Sequence, residues 1–360
     1  MKRVSTADLV PGMITAEDVY TYNNQLILPR GLVLTDRTIT KLEFYSIINV
    51  RVEDDMSEEY LASPEPTENL SYSEKIKKSP QFIEFKARFD EEVPKFKNML
   101  DSVAGRNSDL DLNSLLDCIN EILTSSDGYL NVFDMLHNMR QYDDLTYVHS
   151  INVALICNVF SRWLKFTEEQ TRLATLCGLL HDIGKISIPE NIIKKPAKLT
   201  DNEYTVVKKH TLEGYNILRT FDIPEAIMNA ALMHHERCDG SGYPFGIRNS
   251  KIDMYAKMVA IADVYDAMTS ARVYRGPMCP FKVVEIFESE GLQKYETHFI
   301  MTFLENIVNT YMLQRVKLSD GRIGDVVFIN RSALAKPTIK SGDEFIDLST
   351  LPDVYIETII

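Results

Sequence analysis

Cysteine is scarce and scattered: Cys118, Cys157, Cys177, Cys238 and Cys279 form no Cys-x-x-Cys pair in 360 residues. That excludes a disulfide framework and a thiolate zinc site, and it marks the five as reduced, packed residues. Basic charge is also short, with 39 Lys and Arg against 52 Asp and Glu and a net charge of −13. A surface of that sign repels polyanions at long range, so bulk binding to nucleic acid polymers or to an anionic membrane is not expected. No apolar run approaches the length of a bilayer span, and the opening MKRVSTADLVPGM lacks the apolar core of a signal peptide. The expectation is a cytoplasmic protein. Apolar residues, by contrast, make up 45% of the chain, enough for one large core or two to three modules.

Met1 to about Asp54 alternates short apolar runs with turn residues: Pro11-Gly12, then Leu26-Ile27-Leu28 closing on Pro29-Arg30-Gly31. From Thr35 to Tyr45 the spacing turns helical, with Asp36 as cap and Ile39, Leu42 and Phe44 apolar, before a last strand from Ile47 to Val52. Residues 1–54 thus read as a small α+β module, an adaptor or regulatory piece without a ligand constellation. Residues 55–75, rich in Glu, Ser and Pro, read as an acidic linker. Residues 76–142 carry helical periodicity, as in Leu112, Leu115, Leu116, Ile119, Ile122 and Leu123, and make lead-in helices. At the far end, Val316 to Leu318 and Ile323 to Ile329 flank Ser319-Asp320-Gly321, a hairpin signal within a β-rich appendage over 316–360. The mainly α domain between them, residues 143–315, holds the chemistry.

That domain is organised around LLHDIGK, Leu179 to Lys185, where an apolar run leads straight into His181 and Asp182 and Gly184 offers a helix stop. Imidazole and carboxylate side by side at a buried helix end need a partner, and a metal ion is the obvious one. The helix from about Thr146 to Leu164 places His149 on one stripe with Val153, Ile156 and Phe160. A lone histidine on such a stripe is more often a satisfied core residue than a ligand, but this one is not alone. Thr200 with Glu203 is a capping box for a helix bearing Val207, His210, Gly214 and Ile217 on one face. A helix opened by Pro224 ends in His234 and His235, just before the glycine-rich loop Cys238 to Gly246. From Met254 to Ser270 the chain is apolar nearly all round, so Asp263 is a buried carboxylate in want of a cation.

Five of the seven histidines and two aspartates therefore converge as ligands of nitrogen and oxygen type. Seven such donors are too many for one tetrahedral ion and suit two first-row divalent metals. Two adjacent ions activate water at neutral pH and steady the attacking and leaving oxygens of phosphoryl transfer, so the implied reaction is phosphate-ester hydrolysis. Lys185, one turn from Asp182, and Arg272 with Arg275, just beyond the Asp263 helix, are placed to hold phosphate oxygens. Lys194, Lys195, Lys198, Lys208 and Lys209 read instead as a solvated face.

The motifs HDIGK (181–185), His210 in KKHTLEGYNIL, HHERCDGSGYP (234–244) and IADVYDAMTSARVYR (261–275) resemble the HD-GYP subgroup of HD-domain phosphohydrolases. Those bacterial enzymes hydrolyse cyclic di-GMP, and their fold is all-helical. The resemblance implies that His149, His181, Asp182 and Asp263 bind one metal and His210, His234 and His235 the other, with Asp182 bridging. Iron or manganese is typical. It also implies that Lys185 contacts the scissile phosphate, acting with Asp182 as the catalytic pair, and that Arg272, Arg275 and Tyr243 contact substrate. Glu236 and Asp239 match the signature loop, with loop-shaping at least as good a role as direct catalysis; Asp266 matches a family position without an assigned role.

Two departures stand out. Where some members carry a glutamate one turn before the first histidine, for a third metal, this chain has Leu145, so two metals are expected. After Gly291 the family's Phe-Asp-Pro triplet is replaced by LQKYETHF. The expected activity is hydrolysis of cyclic di-GMP to pGpG and on to GMP. The alternatives are a related substrate such as cyclic GMP-AMP or pGpG, and a catalytically silent cyclic di-GMP sensor that docks a protein partner through Gly242-Tyr243-Pro244. A homodimer is compatible with either.

Overall fold

The computed structural model of the chain describes residues 1–20, 26–35, 38–39, 42, 45, 47–53, 72–104, 109–124, 132–139, 145–195, 197–270 and 278–360. They fall into two compact units, Met1–Tyr72 with Tyr311–Ile360, and Ser73–Thr310.

The first unit is built from short antiparallel strands. β1 (Lys2–Ser5), β2 (Val19–Tyr20), β3 (Leu26–Leu28) and β4 (Asn49–Val52) pair as β1 with β4 and β2 with β3. The alternation of β4 turns Val50 and Val52 into an apolar cluster with Leu9, Val19, Ile27, Leu28, Leu34 and Leu42. Of the helix expected over 35–45, residues 38, 39 and 42 are helical, while Asp36 and Phe44 lie outside the described residues. Most of the expected linker, residues 55–71 of 55–75, also lies outside them. The expected hairpin is present as β5 (Arg315–Leu318) and β6 (Ile323–Phe328), with Gly321 at φ +89° in the turn. β7 (Thr338–Ser341), β8 (Glu344–Asp347) and β9 (Ile356–Ile359) complete a sheet of order β8-β7-β6-β5-β9. The strand pairs at both ends of the sequence thus belong to one compact unit, although the helical unit separates them along the chain.

The second unit is helical. α1 (Tyr72–Lys78), α2 (Pro80–Ala104) and α3 (Leu112–Thr124) lead into α4 (Val132–Asn138), α5 (Leu145–Trp163), α6 (Glu168–Leu180) and α7 (Glu190–Ile193). Then follow α8 (Asp201–Lys208), α9 (His210–Leu218), α10 (Glu225–Met233), α11 (Met254–Thr269), α12 (Pro280–Ile286) and α13 (Thr297–Thr310). Capping fixes where the site-bearing helices begin. Thr167 and Gln170 cap α6 reciprocally, Thr200 and Glu203 cap α8 in the same way, and the Asp253 carboxylate accepts from Tyr255 N at the start of α11.

α11 is buried almost all round, as its composition requires, and packs on α5, α6 and α10. Phe133 of α4, Phe160 and Trp163 of α5, Tyr265 of α11 and Phe303 of α13 join these helices in an aromatic cluster. The Phe133 and Trp163 rings stack at 5.2 Å, and Phe303 meets Phe160 and Tyr265 edge-on at 5.0 and 5.2 Å.

Two local expectations are corrected. Gly184 is not the stop of α6, which ends at Leu180; Gly184 sits in a 3-10 turn, Ile183–Ser187. There a Cβ would collide with the His210 carbonyl oxygen and the Gly214 backbone, so glycine is required by close approach to α9. The helix expected to run through His210 is interrupted at Lys209, which closes α8 and opens α9. His210 Nδ1 turns back onto the Val207 carbonyl at 2.6 Å, and that side-chain bond competes with the helical ladder. Further along the chain, α12 ends at Ile286 and passes into a π turn, Phe287–Gly291.

Candidate metal centre

Helix ends deliver the donors. α6 ends just before His181 and Asp182, α9 begins with His210, α10 ends just before His234, and His149 and Asp263 project from the bodies of α5 and α11. All seven predicted ligands come together. Nitrogen or oxygen atoms of His149, His181 and Asp182 lie within 4.8 Å of one another, and so do those of His210, His234 and His235.

Asp182 faces both triads. Its Oδ2 lies 3.3 Å from His181 Nε2 and 3.7 Å from His149 Nε2. Its Oδ1 lies 3.4 Å from His210 Nε2 and 3.8 Å from His234 Nε2. Asp263 spans the other side, with Oδ1 3.0 Å from His149 Nε2 and Oδ2 3.8 Å from His235 Nδ1.

The rings are aimed by their far nitrogens. His181 Nδ1 is 2.7 Å from the Gly178 carbonyl, His210 Nδ1 is 2.6 Å from that of Val207, and His234 Nδ1 is 3.0 Å from those of Ala230 and Ala231. A carbonyl only accepts, so Nδ1 carries the proton in each case and Nε2 turns a lone pair inward. For His149 the aiming group is Asp266, whose Oδ2 is 2.7 Å from Nδ1; its Oδ1 accepts from Asn152 Nδ2 and Ser270 Oγ, each at 3.0 Å. Sequence reasoning left Asp266 without a role. Its spacing from Asp263, three residues on the same helix, is the signal that could have found it.

Electrostatics keeps most donors in their ligating forms. Burial pushes the carboxyls of Asp182 and Asp263 up, but neighbouring groups outweigh it and hold both well below the usual range: Lys185 and His181 for Asp182, the His149 hydrogen bond for Asp263. Burial pushes His210 and His234 down and takes His235 to about 3, so these imidazoles are neutral. His149 is the exception: burial lowers it, but Asp263 and Asp266 reverse that and lift it to about 9.

The donor set fits divalent metal ions. Among the described residues, His181 Nε2 and Asp182 Oδ1 are buried without a hydrogen-bond partner, and both belong to the centre. Buried lone pairs left unpaired at the meeting point of seven donors are what a cation satisfies.

Around the centre, Lys185 pairs with Asp182 Oδ2 and is a quarter exposed. Tyr243 stacks on His235, ring centroids 4.6 Å apart and 27° from parallel. Glu236 accepts from Phe245 N and Ile247 N at 2.7 and 3.1 Å, and Asp239 from Ser241 N and Oγ at 2.9 and 2.7 Å, so both shape the signature loop. Gly242 is crowded by the backbone of His235 to Arg237, where a Cβ has no room. The departing segment after Gly291 supports the base of this loop: Lys294 O accepts from Cys238 N at 2.8 Å, and Arg237 lies over Tyr295 at 5.1 Å. Arg272 and Arg275 lie outside the described residues. Among the described residues no helix is long and apolar enough to cross a membrane.

Residues 133–298 match the family model described as HD domain. A cyclic di-GMP phosphodiesterase of Pseudomonas aeruginosa is 34% identical over 226 residues, 62% of this chain and 54% of that protein. A 3'3'-cGAMP-specific phosphodiesterase of Vibrio cholerae is 39% identical over 145 residues, 40% of this chain and 34% of that protein. A cyclic di-GMP phosphodiesterase of Thermotoga maritima is 34% identical over 189 residues, 51% of each chain. The chain therefore spans about half or less of the length of these relatives.

Proposed function

We propose that the HD domain carried by residues 133–298, of the HD-GYP type, is a metal-dependent phosphodiesterase that hydrolyses cyclic di-GMP to pGpG and on to GMP. One observation carries this reading: Asp182 turns Oδ2 to His149 and His181 and Oδ1 to His210 and His234, with Oδ1 buried and unpaired. Two divalent ions, iron or manganese, suit donors that are all imidazole and carboxylate. When bound, they supply Lewis acidity and an activated water. His149, His181, Asp182 and Asp263 would hold one of them and His210, His234 and His235 the other, with Asp182 placed within reach of both groups.

The remaining work falls to the chain. Asp266 holds the ring of His149, and the backbone carbonyls of Gly178, Val207 and Ala230 hold three more imidazoles, so the donors need no reordering. Lys185, drawn from Asp182, meets an equatorial phosphate oxygen; Arg272, Arg275 and Tyr243 meet the rest of the substrate. The Gly242-Tyr243-Pro244 loop, with Phe245 exposed beside it, is the face for a protein partner. The setting is cytoplasmic.

The test is turnover by anaerobically purified protein loaded with iron(II) or manganese(II), with products separated by chromatography and metal counted per chain. Appearance of pGpG or GMP at about two metals per chain supports the reading. Bound metal with cyclic di-GMP intact overturns it in favour of a different substrate or a sensor. A second substrate, 3'3'-cGAMP, enters the same assay because a relative of that printed specificity is 39% identical over 145 residues.

A further inference from the structure

Beyond the donor triads, a row of rings runs from the centre to solvent. Tyr243 stacks on His235, Tyr204 of α8 meets Tyr243 edge-to-face at 6.5 Å between centroids, and Tyr204 is nearly half exposed. The Lys208 ammonium lies 4.9 Å from the centroid of Tyr204 and 5.8 Å from that of Tyr243. This lysine was expected on a plain solvated face. Its position over two rings, one of them packed on a donor histidine, places it beside the site instead.

The half-exposed Tyr204 ring offers a flat apolar surface to a planar partner, and the Lys208 ammonium over it is drawn to the ring's π-face and helps hold its orientation. The chemistry of a cyclic dinucleotide matches both parts. With one phosphodiester at the donor triads, the molecule still presents a flat purine and a second phosphodiester carrying one negative charge. On a chain of net charge −13, that second anion needs a local cation.

We propose that Tyr204 and Lys208 form an outer substrate subsite, with Tyr204 stacking a purine and Lys208 pairing with the phosphodiester that is not being cleaved. The inference rests on the functional reading above and deepens it. Stacking accepts any base, so the subsite sets affinity and not the choice between guanine and adenine.

The experiment compares Tyr204→Ala, Tyr204→Leu, Tyr204→Phe and Lys208→Ala with the parent chain, all metal-loaded. It reads kcat and KM for cyclic di-GMP and 3'3'-cGAMP, and equilibrium binding of a phosphorothioate analogue of cyclic di-GMP. Tyr204→Ala and Tyr204→Leu should raise KM and the analogue's Kd by about 5- to 150-fold, alike for both nucleotides, with kcat kept. Tyr204→Phe should stay close to the parent. Lys208→Ala should weaken binding and reduce its dependence on salt.

A purely structural tyrosine would be replaced by leucine without loss, and that result, or an unchanged KM in Tyr204→Ala, overturns the subsite. A drop in kcat with KM unchanged also overturns it. If the parent chain binds and cleaves neither nucleotide, the functional reading fails first and the subsite with it. Parent activity with indifferent variants fails the subsite alone.

Discussion

Asp266 Oδ2 stands 2.7 Å from Nδ1 of His149, on the side of the ring away from Asp182 and Asp263. The carboxylate touches none of the inward-facing nitrogens, yet it decides where Nε2 of His149 points. Asn152 and Ser270 hold the carboxylate in turn. Asp266→Ala should lower metal affinity about 10- to 100-fold while the helix content stays constant, since such supports tune a ligand without being one. A metal titration against a competing chelator measures this. Parent affinity in the variant would remove Asp266 from the centre's account.

His181 and Asp182 supply the two buried, unpaired atoms of the site. Replacing both with alanine should abolish metal loading and turnover and leave far-ultraviolet circular dichroism close to the parent's. Full activity in that variant would sink the assignment of the reaction to this centre.

The metal-free protein should be destabilised by acid. His235 is held at about 3 against an ordinary value of 6.5, and burial lowers His210 and His234 in the same direction. The unfolded chain therefore takes up more protons below about 6.5, and stability falls as pH drops from there toward 3. Asp182 and Asp263, both depressed, add to the loss at the acid end. His149 works the other way: raised to about 9, it contributes stability below 6.5 that is lost as pH climbs through 9. Thermal midpoints of chelated protein across about pH 4 to 10 should trace a dome, and His235→Ala should flatten its acid limb. A flat profile between pH 7 and 4 would contradict the burial of these rings.

Gly184→Ala places a methyl against the carbonyl of His210 and the backbone of Gly214. Backbone cannot yield as a side-chain tip does, so the variant should lose about 1–3 kcal/mol in urea unfolding. Because His210 moves with that carbonyl, metal affinity should fall as well. An alanine that costs neither stability nor metal would mean the close approach is not real.

Much of the helical unit is legible in the sequence because its signals are local. Thr200 and Glu203 announce a capping box within four residues, and α11 announces its burial by composition alone. His149 declares its inward face through Val153, Ile156 and Phe160, a matter of helical period. The interruption at Lys209 and the true role of Gly184 were not legible. Both depend on a contact between residues far apart in the chain, the 3-10 turn at Ile183–Ser187 against α9.

The sequence by itself showed which imidazoles and carboxylates lie on apolar faces and at helix ends, a donor set without thiolate that is compatible with divalent metal ions. It also identified the strand and turn segments at both ends. Only the tertiary structure decided which oxygen of Asp182 faces which triad, that Asp266 aims His149, and that Lys208 lies over two tyrosine rings. Those relations are distances between separate helices. Periodicity fixes the face on which a side chain lies; packing alone fixes what that face meets.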